Sequence, residues 1–361
     1  MRRFWPLAFL AVLAIALLAR QAQIFVPEPV RSIHAGPLRT RQFFGPGMPP
    51  PNATGSATDS KAALAPPANP EDLKASTITP ITRSLLWSAG HQNADGSWGD
   101  VPIMLEGHPV GKVSVTSLVI LSFLSAGYSP YSREEFPDPT CAGRTLKFGE
   151  AVKKGLKWLL EEQGEDGTFR SGVSSFDQVL GALALTEAYG STTSTSLKDP
   201  AQHALDAMAQ LQKGDGSWGG AGPTAWALQA LSTGDQSELT FPREAQNRAV
   251  QVALGMEHPA NLFSLMVVTE SRGFSAPAAV GLASAPPDLG DYLGWYYASR
   301  GLVQFEGPQG PLWTAWRGPL EAALVRQQTR DGSWTGGTAS GTGVRSSLAS
   351  MILQVCHGYF R

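Results

Sequence analysis

Four segments of this 361-residue chain repeat one pattern, in which a helix-like run ends in glutamine and is followed by an Asp-Gly turn and an aromatic residue. The copies are Gln92–Trp98, Gln163–Phe169, Gln212–Trp218 and Gln328–Trp334. A supersecondary unit that recurs in this way cannot bury its apolar face alone, so its copies stack against one another. The repeat therefore limits the architecture before any single residue is considered.

The residues around the second copy predict two helices per unit. Val152, Leu156 and Leu159 lie on one apolar face before the turn, whereas segment 177–189 is apolar nearly all round and belongs inside. We expect about six such pairs, or twelve helices. The outer helices are predicted at roughly 79–92, 147–163, 199–213, 242–256 and 312–328, with a short one at 274–285, and the inner helices at roughly 113–127, 175–190, 223–234, 259–272, 291–304 and 342–357.

Each turn residue has a structural role that predicts its type. The glutamine lies in the last helical turn, where carbonyls lack intrahelical partners, and its amide is expected to donate to one of them. Asp-Gly favours a tight reversal with glycine at positive φ, and the aromatic ring is expected to fold back over the helix end. Eight residues are thus assigned to structure: Gln92, Trp98, Gln163, Phe169, Gln212, Trp218, Gln328 and Trp334.

The N-terminal region predicts a membrane anchor followed by a tether. Two arginines precede an apolar run from Phe4 to Ala19, and the cleavage context after this run is poor. Residues 1–22 are therefore predicted to be an uncleaved signal anchor that holds the rest of the chain outside the cytoplasm, in the periplasm or extracellular space. A cleaved signal peptide is the alternative. Residues 23–72 are proline-rich and predicted to be a disordered tether, which leaves 73–361 as the folded domain.

The composition argues against several classes of function. The formal net charge is −2 and no dense basic stripe occurs, so nucleic acid is not expected as a partner. Cys141 and Cys356 are too few for a disulfide framework and are interpreted as small apolar residues, with one bridge as the alternative. No HExxH, Walker or GxSxG motif occurs. We expect neither a metal nor a cofactor.

The segment Lys154–Gln163, continuing to Gly167 and Phe169, resembles the QW repeat of squalene and oxidosqualene cyclases, and the first copy is similar from Arg83 onward. Over about residues 73–361 the chain resembles the prenyltransferase and squalene-cyclase repeat superfamily, and its tail from Asp291 resembles bacterial members. This resemblance implies an all-α fold, an (α/α)6 toroid with two concentric layers of helices around a central cavity.

The chain departs from the family at the positions that carry chemistry. Squalene cyclases protonate an alkene with an aspartate of an Asp-x-Asp-Asp motif, which does not occur here. The Asp-x-Cys spacing of the zinc-binding protein prenyltransferases and the Cys-Gly-Glu-Gln signature of thioester domains do not occur either. The length suffices for one α domain, whereas triterpene cyclases have two.

The mouth of such a toroid lies where the inner helices begin, and the candidate catalytic residues are placed there. Asp177 and Asp291 open inner helices, where aspartate is favoured as a cap, and together they also form the best acid pair. His258 could titrate near neutrality as the third candidate, or be a surface or core histidine. Thr116 and Thr224 occupy the same level.

The candidate ligand-binding residues are aromatic, with one arginine. Trp226, Trp295, Tyr296 and Tyr297 could line an apolar cavity and stabilise a carbocation through their ring faces, or could be ordinary core aromatics. Arg345 follows a glycine-rich stretch and could hold an anion such as diphosphate, or be an exposed residue of a flexible loop.

Three functions follow from these residues. The first is a non-catalytic toroid that binds a lipid, another apolar ligand or a protein partner without standard cyclase chemistry. The second is an isoprenoid-processing enzyme of terpene cyclase or prenyltransferase type. The third is a polysaccharide lyase or hydrolase, which needs paired carboxylates across the mouth. A deep aromatic cavity with an acid would favour the second function, and a filled centre the first.

Overall fold

The computed structural model describes residues 79–99, 103–255, 261, 263–264, 279–281, 283, 290–335 and 341–358. The predicted anchor, the tether, His258 and most of the predicted helices at 259–272 and 274–285 lie outside these residues. Among the described residues, no helix combines the length and apolarity that a membrane span requires.

The described residues form ten helices and four short strands. In chain order these are α1 (Pro80–Gly90), β1 (Ile103–Leu105), β2 (His108–Val110), α2 (Lys112–Ser125), β3 (Glu135–Pro137), β4 (Thr145–Lys147), α3 (Phe148–Glu162), α4 (Ser175–Thr192), α5 (Thr195–Gln210), α6 (Ala221–Gln236), α7 (Arg243–Leu254), α8 (Tyr292–Glu306), α9 (Pro311–Gln327) and α10 (Gly341–Cys356). The odd-numbered helices match the predicted outer helices and the even-numbered ones the predicted inner helices.

Burial separates the two layers. Helices α2, α4, α6, α8 and α10 are buried over most of their length and on several sides. Outer helices bury one face, and α7 buries only Ala245, Ala249 and Ala253. An apolar inner layer surrounded by amphipathic helices is the arrangement that the hydrophobic patterns predict.

The inner layer closes on itself. Helices α2, α4 and α6 pack in sequence, and α8 packs on α10, which packs back on α2. Trp226 of α6 stacks on Tyr296 of α8, and Gln354 of α10 donates to the Ser122 carbonyl of α2 at 2.9 Å. The predicted all-α toroid is therefore confirmed.

The four Gln–Asp-Gly–aromatic turns link each outer helix to another outer helix along the ring. Every turn glutamine donates its amide to a carbonyl in the first half of that neighbouring helix, at 2.7–2.9 Å: the acceptors are Ala151, Pro200, Ala245 and Pro80 for Gln92, Gln163, Gln212 and Gln328. The expectation that the glutamine caps its own helix is wrong. The Gln163 and Gln328 backbones are extended, which directs their side chains away from their own helices.

The glycine of each turn meets the same neighbouring helix. Its φ is positive in all four copies, between 81° and 95°. A Cβ on Gly332 would collide with the Arg83 carbonyl of α1, and the other turn glycines approach the backbone in the same way. Since Gln328 also donates to the Pro80 carbonyl, the last turn joins the last described outer helix to the first one.

The turn tryptophans join the outer layer to the inner layer. Their indole N–H groups donate to the carbonyls of Ser88, Met208 and Leu324, at 2.7–2.9 Å and ten residues earlier in each case. Their backbone N–H groups donate to hydroxyls near the start of inner helices, on Thr116, Thr224 and Ser346. Thr116 and Thr224 thus hold the turns in place.

Two β-hairpins were not predicted, whereas the cysteines were interpreted as unbridged. Strand β1 pairs with β2, and β3 with β4, each in an antiparallel pair. The three-residue strands are too short to give an alternating pattern in the sequence. Cys141 is exposed, Cys356 is buried, and both are free thiols. The interpretation as two separate small residues is therefore kept, and the alternative of one bridge is wrong.

The turn glycine offers a matched stability test. Gly332→Ala should reduce the free energy of unfolding by about 2–4 kcal/mol, because it adds a collision with backbone to the strain of positive φ. Gly143 also has positive φ, yet nothing lies within 4 Å of its added Cβ, so Gly143→Ala should cost only about 1 kcal/mol. Urea unfolding measures both values, and equal losses would contradict the proposed role of the contact.

Candidate functional site

The side of the ring on which the inner helices begin, here called the mouth, also carries the turns. Each turn aromatic bonds through its backbone N–H to a residue near the first turns of an inner helix, so these N-termini share one side with the turns. The β1–β2 hairpin immediately precedes α2 on this side. It reaches across to α4 and α6, since the His108 ring packs edge-on to Phe176 at 5.5 Å between centroids.

Asp177 lies at the mouth, but both oxygens of its carboxylate accept hydrogen bonds from the protein itself. The side chain is fully buried and accepts hydrogen bonds from the backbone N–H groups of Gly111, Ser114 and Val173, at 2.9–3.2 Å. The Ser114 hydroxyl adds another bond at 2.7 Å. Asp177 therefore holds the first turn of α2, in addition to lying in the first turn of its own helix α4, as predicted.

Asp291 is the N-cap of α8, which is the structural alternative that the sequence offers for it. Its Oδ1 accepts from the Gly294 N–H at 2.8 Å, and the residue is exposed. Asp177 and Asp291 lie in separate hydrogen-bond networks. The charge of Asp291 instead raises the pKa of a different acid, Glu106.

Glu106 is the mouth residue that sequence reasoning missed. It sits at the tip of the β1–β2 hairpin with φ 47°. The residue is exposed as a whole, yet its carboxyl end occupies the space beside Gly222 and accepts from the Gly222 N–H. Burial of this carboxyl, reinforced by the charge of Asp291 and partly offset by the Gly222 bond, raises the pKa of Glu106 to about 7.

Below Glu106 lies a cluster of four aromatic rings, here called the central rings: Trp226, Phe263, Tyr296 and Tyr297. Trp226, one helical turn beyond Gly222, stacks on Tyr296 with centroids 5.1 Å apart and planes 8° apart. Phe263 stacks on Tyr297 at 5.9 Å and 19°. All four are at most 1% exposed, so the rings fill the space between the helices that carry them.

Trp295 and Arg345 do not join the central rings in the contacts described. Trp295 packs on Tyr292, with centroids 5.2 Å apart. Neighbouring residues on a helix point in different directions, which separates Trp295 from Tyr296 and Tyr297. The charge of Arg345 acts on Tyr292, whose pKa is raised by burial and lowered in part by that charge. These residues form a second group beside the central one.

A buried cation borders the central rings. Arg300, in the middle of α8, is 3% exposed, and its guanidinium carbon lies 5.6 Å from the Phe263 centroid. Arginine keeps its charge in proteins, so this is a fixed positive charge against an aromatic face. An arginine inside an otherwise apolar inner helix was the available sequence signal, and it was missed.

The charged groups at the mouth do not form a metal site. In the part of the chain that the structure describes, there is no cluster of three or more His, Cys, Asp or Glu side chains suited to a metal ion. The central rings form a buried apolar cluster, and Glu106 is a described mouth residue whose raised pKa suits proton exchange near neutral pH.

No protein-family model and no curated protein matches the chain. Among solved structures, it is similar to a variant of the type II terpene cyclase MstE from Scytonema, in complex with its substrate geranylgeranyl dihydroxybenzoate. The TM-score is 0.52 at 11% identity, and the match covers 78% of this chain and 96% of that one. A protein from Actinoplanes gives a TM-score of 0.49 at 16% identity over 78% and 98%. The fold is therefore of the terpenoid-cyclase type; identities this low bear on the fold alone.

The structural roles of Asp177 and Asp291 can be distinguished by replacing each aspartate with asparagine. Asp177→Asn should reduce the free energy of unfolding by about 2–3 kcal/mol, because the new amide NH2 faces backbone N–H donors in a buried site. Asp291→Asn should change it by less than about 0.5 kcal/mol, since asparagine is an equally good N-cap. Chemical denaturation tests both. An Asp177→Asn variant of unchanged stability would argue against the structural role.

Proposed function

We propose that this protein binds an apolar, isoprenoid-like ligand at the central rings, without the acid-initiated chemistry of standard cyclases. The observation that carries the proposal is the stacked cluster of Trp226, Phe263, Tyr296 and Tyr297 at the centre of a closed ring. Four aromatic side chains supply a large apolar surface with ring faces that hold unsaturated chains well. Because the rings fill their own space, a ligand must separate them to bind.

The acid at the mouth argues against alkene protonation. Protonating an alkene requires a strong acid, and a carboxyl group whose pKa is raised to about 7 is a weaker acid than an ordinary glutamic acid. Asp177, the other acid at this level, is held by donors on both of its oxygens. Neither group suits the first step of a type II cyclisation.

The position of Arg300 is a second observation against carbocation chemistry at the central rings. Carbocations in cyclases are stabilised by aromatic faces. Here a guanidinium already lies over the Phe263 face, and its fixed positive charge repels a second cation close by. A neutral ligand fits this surrounding better than a cationic intermediate does.

An enzyme is the second candidate, and Glu106 is the observation that favours it. A carboxyl with a pKa near neutrality can exchange a proton with an oxygen-bound group at physiological pH, and Asp291 supplies a second carboxylate close enough to act on its charge. This pair would serve an isoprenoid-processing enzyme, or the carbohydrate chemistry that needs two carboxylates.

Native mass spectrometry of the full-length chain tests ligand binding. We expect an isoprenoid-type lipid to co-purify with the wild-type protein and to be depleted at least about tenfold in Trp226→Leu, which removes one face of the stack. Trp87→Leu is the matched control, because Trp87 lies on outer helix α1 and stacks on His91; it should retain the lipid.

The same preparations separate the two candidates. Wild-type protein that retains lipid but does not convert prenyl substrates or polysaccharides supports binding alone. Conversion that Glu106→Gln abolishes would support the enzyme. Recovery of a protein partner with no lipid in any preparation would contradict the proposal and favour a docking role.

The predicted anchor gives the proposal a location. We propose that residues 1–22 hold the toroid on the outer side of the membrane, where the tether at 23–72 keeps the ring close to lipid. The two N-terminal arginines support this orientation.

Alkaline phosphatase fused after residue 361 tests the orientation, because this enzyme is active only after export. We expect an active fusion in the membrane fraction, and an inactive one when the apolar run is interrupted by Leu10→Arg and Leu13→Arg. A wild-type fusion that is inactive would contradict the orientation.

A further inference from the structure

We propose that the β1–β2 hairpin is a gate over the mouth of the ring and that Glu106 is its proton-sensitive latch. Its part in ligand entry rests on the proposed function, whereas the opening itself does not depend on any ligand.

The first α6 residues form a seat for the hairpin tip. A Cβ on Gly222 would collide with the Glu106 carboxyl group, and one on Gly220 would stand 3.0 Å from Nε2 of His108. Two glycines at one helix start thus leave space that the hairpin side chains occupy. Gly222 has no positive φ, so the space, and not the backbone conformation, accounts for glycine there.

The base of the hairpin is buried and its tip is exposed. Val110 is fully buried at the end of β2, and Leu105 is 9% exposed beside the tip. Glu106 and Gly107 both have positive φ, as a two-residue hairpin turn requires. Nothing lies within 4 Å of a Cβ added to Gly107. Displacement of the tip therefore breaks the contacts of Glu106 with Gly222 and of His108 with Phe176, while Val110 at the other end of β2 stays buried near α2.

The groups around Glu106 determine the direction of the switch. Helix α6 presents the Gly222 N–H, α8 presents the Asp291 carboxylate and the Tyr297 hydroxyl, and the hairpin itself contributes His108. The Asp291 charge and burial both disfavour a charged Glu106 in the closed position, which raises the pKa of Glu106 to about 7 from its ordinary value of 4.5.

The direction in which pH changes the closure of the hairpin follows from this difference in the pKa of Glu106. With the hairpin closed, Glu106 binds a proton more tightly than in an open, solvated position. Closure is therefore most favourable below pH 4.5, weakens as the pH rises from 4.5 to about 7, and changes little above that. The carboxylate that forms near neutral pH is drawn into water and releases the tip.

Hydrogen exchange of the ligand-free full-length protein tests the gate. After correction for intrinsic exchange, protection of residues 103–110 should fall at least about tenfold between pH 5 and pH 7.5. Glu106→Gln, which keeps the acceptor without the charge, should abolish this dependence. Glu165→Gln, at an exposed turn, should retain it.

Two glycine-to-alanine variants test the contact between Glu106 and Gly222 without a change of pH. Gly222→Ala should remove the protection of residues 103–110 at every pH, because the methyl group expels the Glu106 carboxyl. Gly214→Ala, where nothing lies within 4 Å of the added Cβ, should change nothing. Because the added methyl group also stands 2.8 Å from Cζ of Phe176, residues 179–192 of α4 and 344–356 of α10 report whether the ring itself stays folded.

Protection that does not vary with pH in the wild type, or a pH dependence that persists in Glu106→Gln, would overturn the latch. Unchanged protection in Gly222→Ala would overturn the seat. Because no ligand is present in these measurements, their failure is distinguishable from a failure of lipid binding.

Discussion

The bond between each turn glutamine and another outer helix is the constraint on which the ring depends. An outer helix such as α7 buries only three alanines. Apolar contact alone therefore contributes little to the free energy of its packing on the inner layer. The turn adds a directional bond and a backbone-to-backbone approach that only glycine permits. When Gln328 makes this bond to Pro80, 248 residues away in sequence, the described bonds run without a break from α9 through α1, α3 and α5 to α7.

Closure also determines which residues remain for function. In an inner layer buried on several sides, each polar group needs a partner. Asp177 holds the start of α2, and Gln354 joins α10 to α2. Asp177 thus serves the architecture at the mouth, and Gln354 serves it at the opposite end of the inner helices. Glu106 reaches the mouth from a hairpin, and Arg300 lies against the ring of Phe263.

Most of the fold was predictable and much of the site was not, for one physical reason. Periodicity is a local property, so helices such as α3, predicted at 147–163 and found at Phe148–Glu162, follow from neighbouring residues. Two of the residues that donate to Asp177, Ser114 and Gly111, lie 63 and 66 residues away, and no local pattern encodes them. Glu106 was missed because strands of three residues carry no detectable alternation. Trp226, Tyr296 and Tyr297 were predicted to lie together because they are aromatic residues on inner helices, and their rings do contact one another; their role in ligand binding stays a prediction.

The charges on either side of the central rings constrain what can bind between them. At the mouth, burial and the Asp291 charge disfavour a second negative charge on Glu106, so this end carries the single charge of Asp291 when Glu106 is protonated. In the middle of α8, Arg300 keeps a permanent positive charge against Phe263. A cationic group beside the Phe263 face is repelled by this arginine, whereas an uncharged hydrocarbon is indifferent to it. The charge at Phe263 therefore favours the uncharged apolar ligand of the proposed function over the cations that cyclases generate.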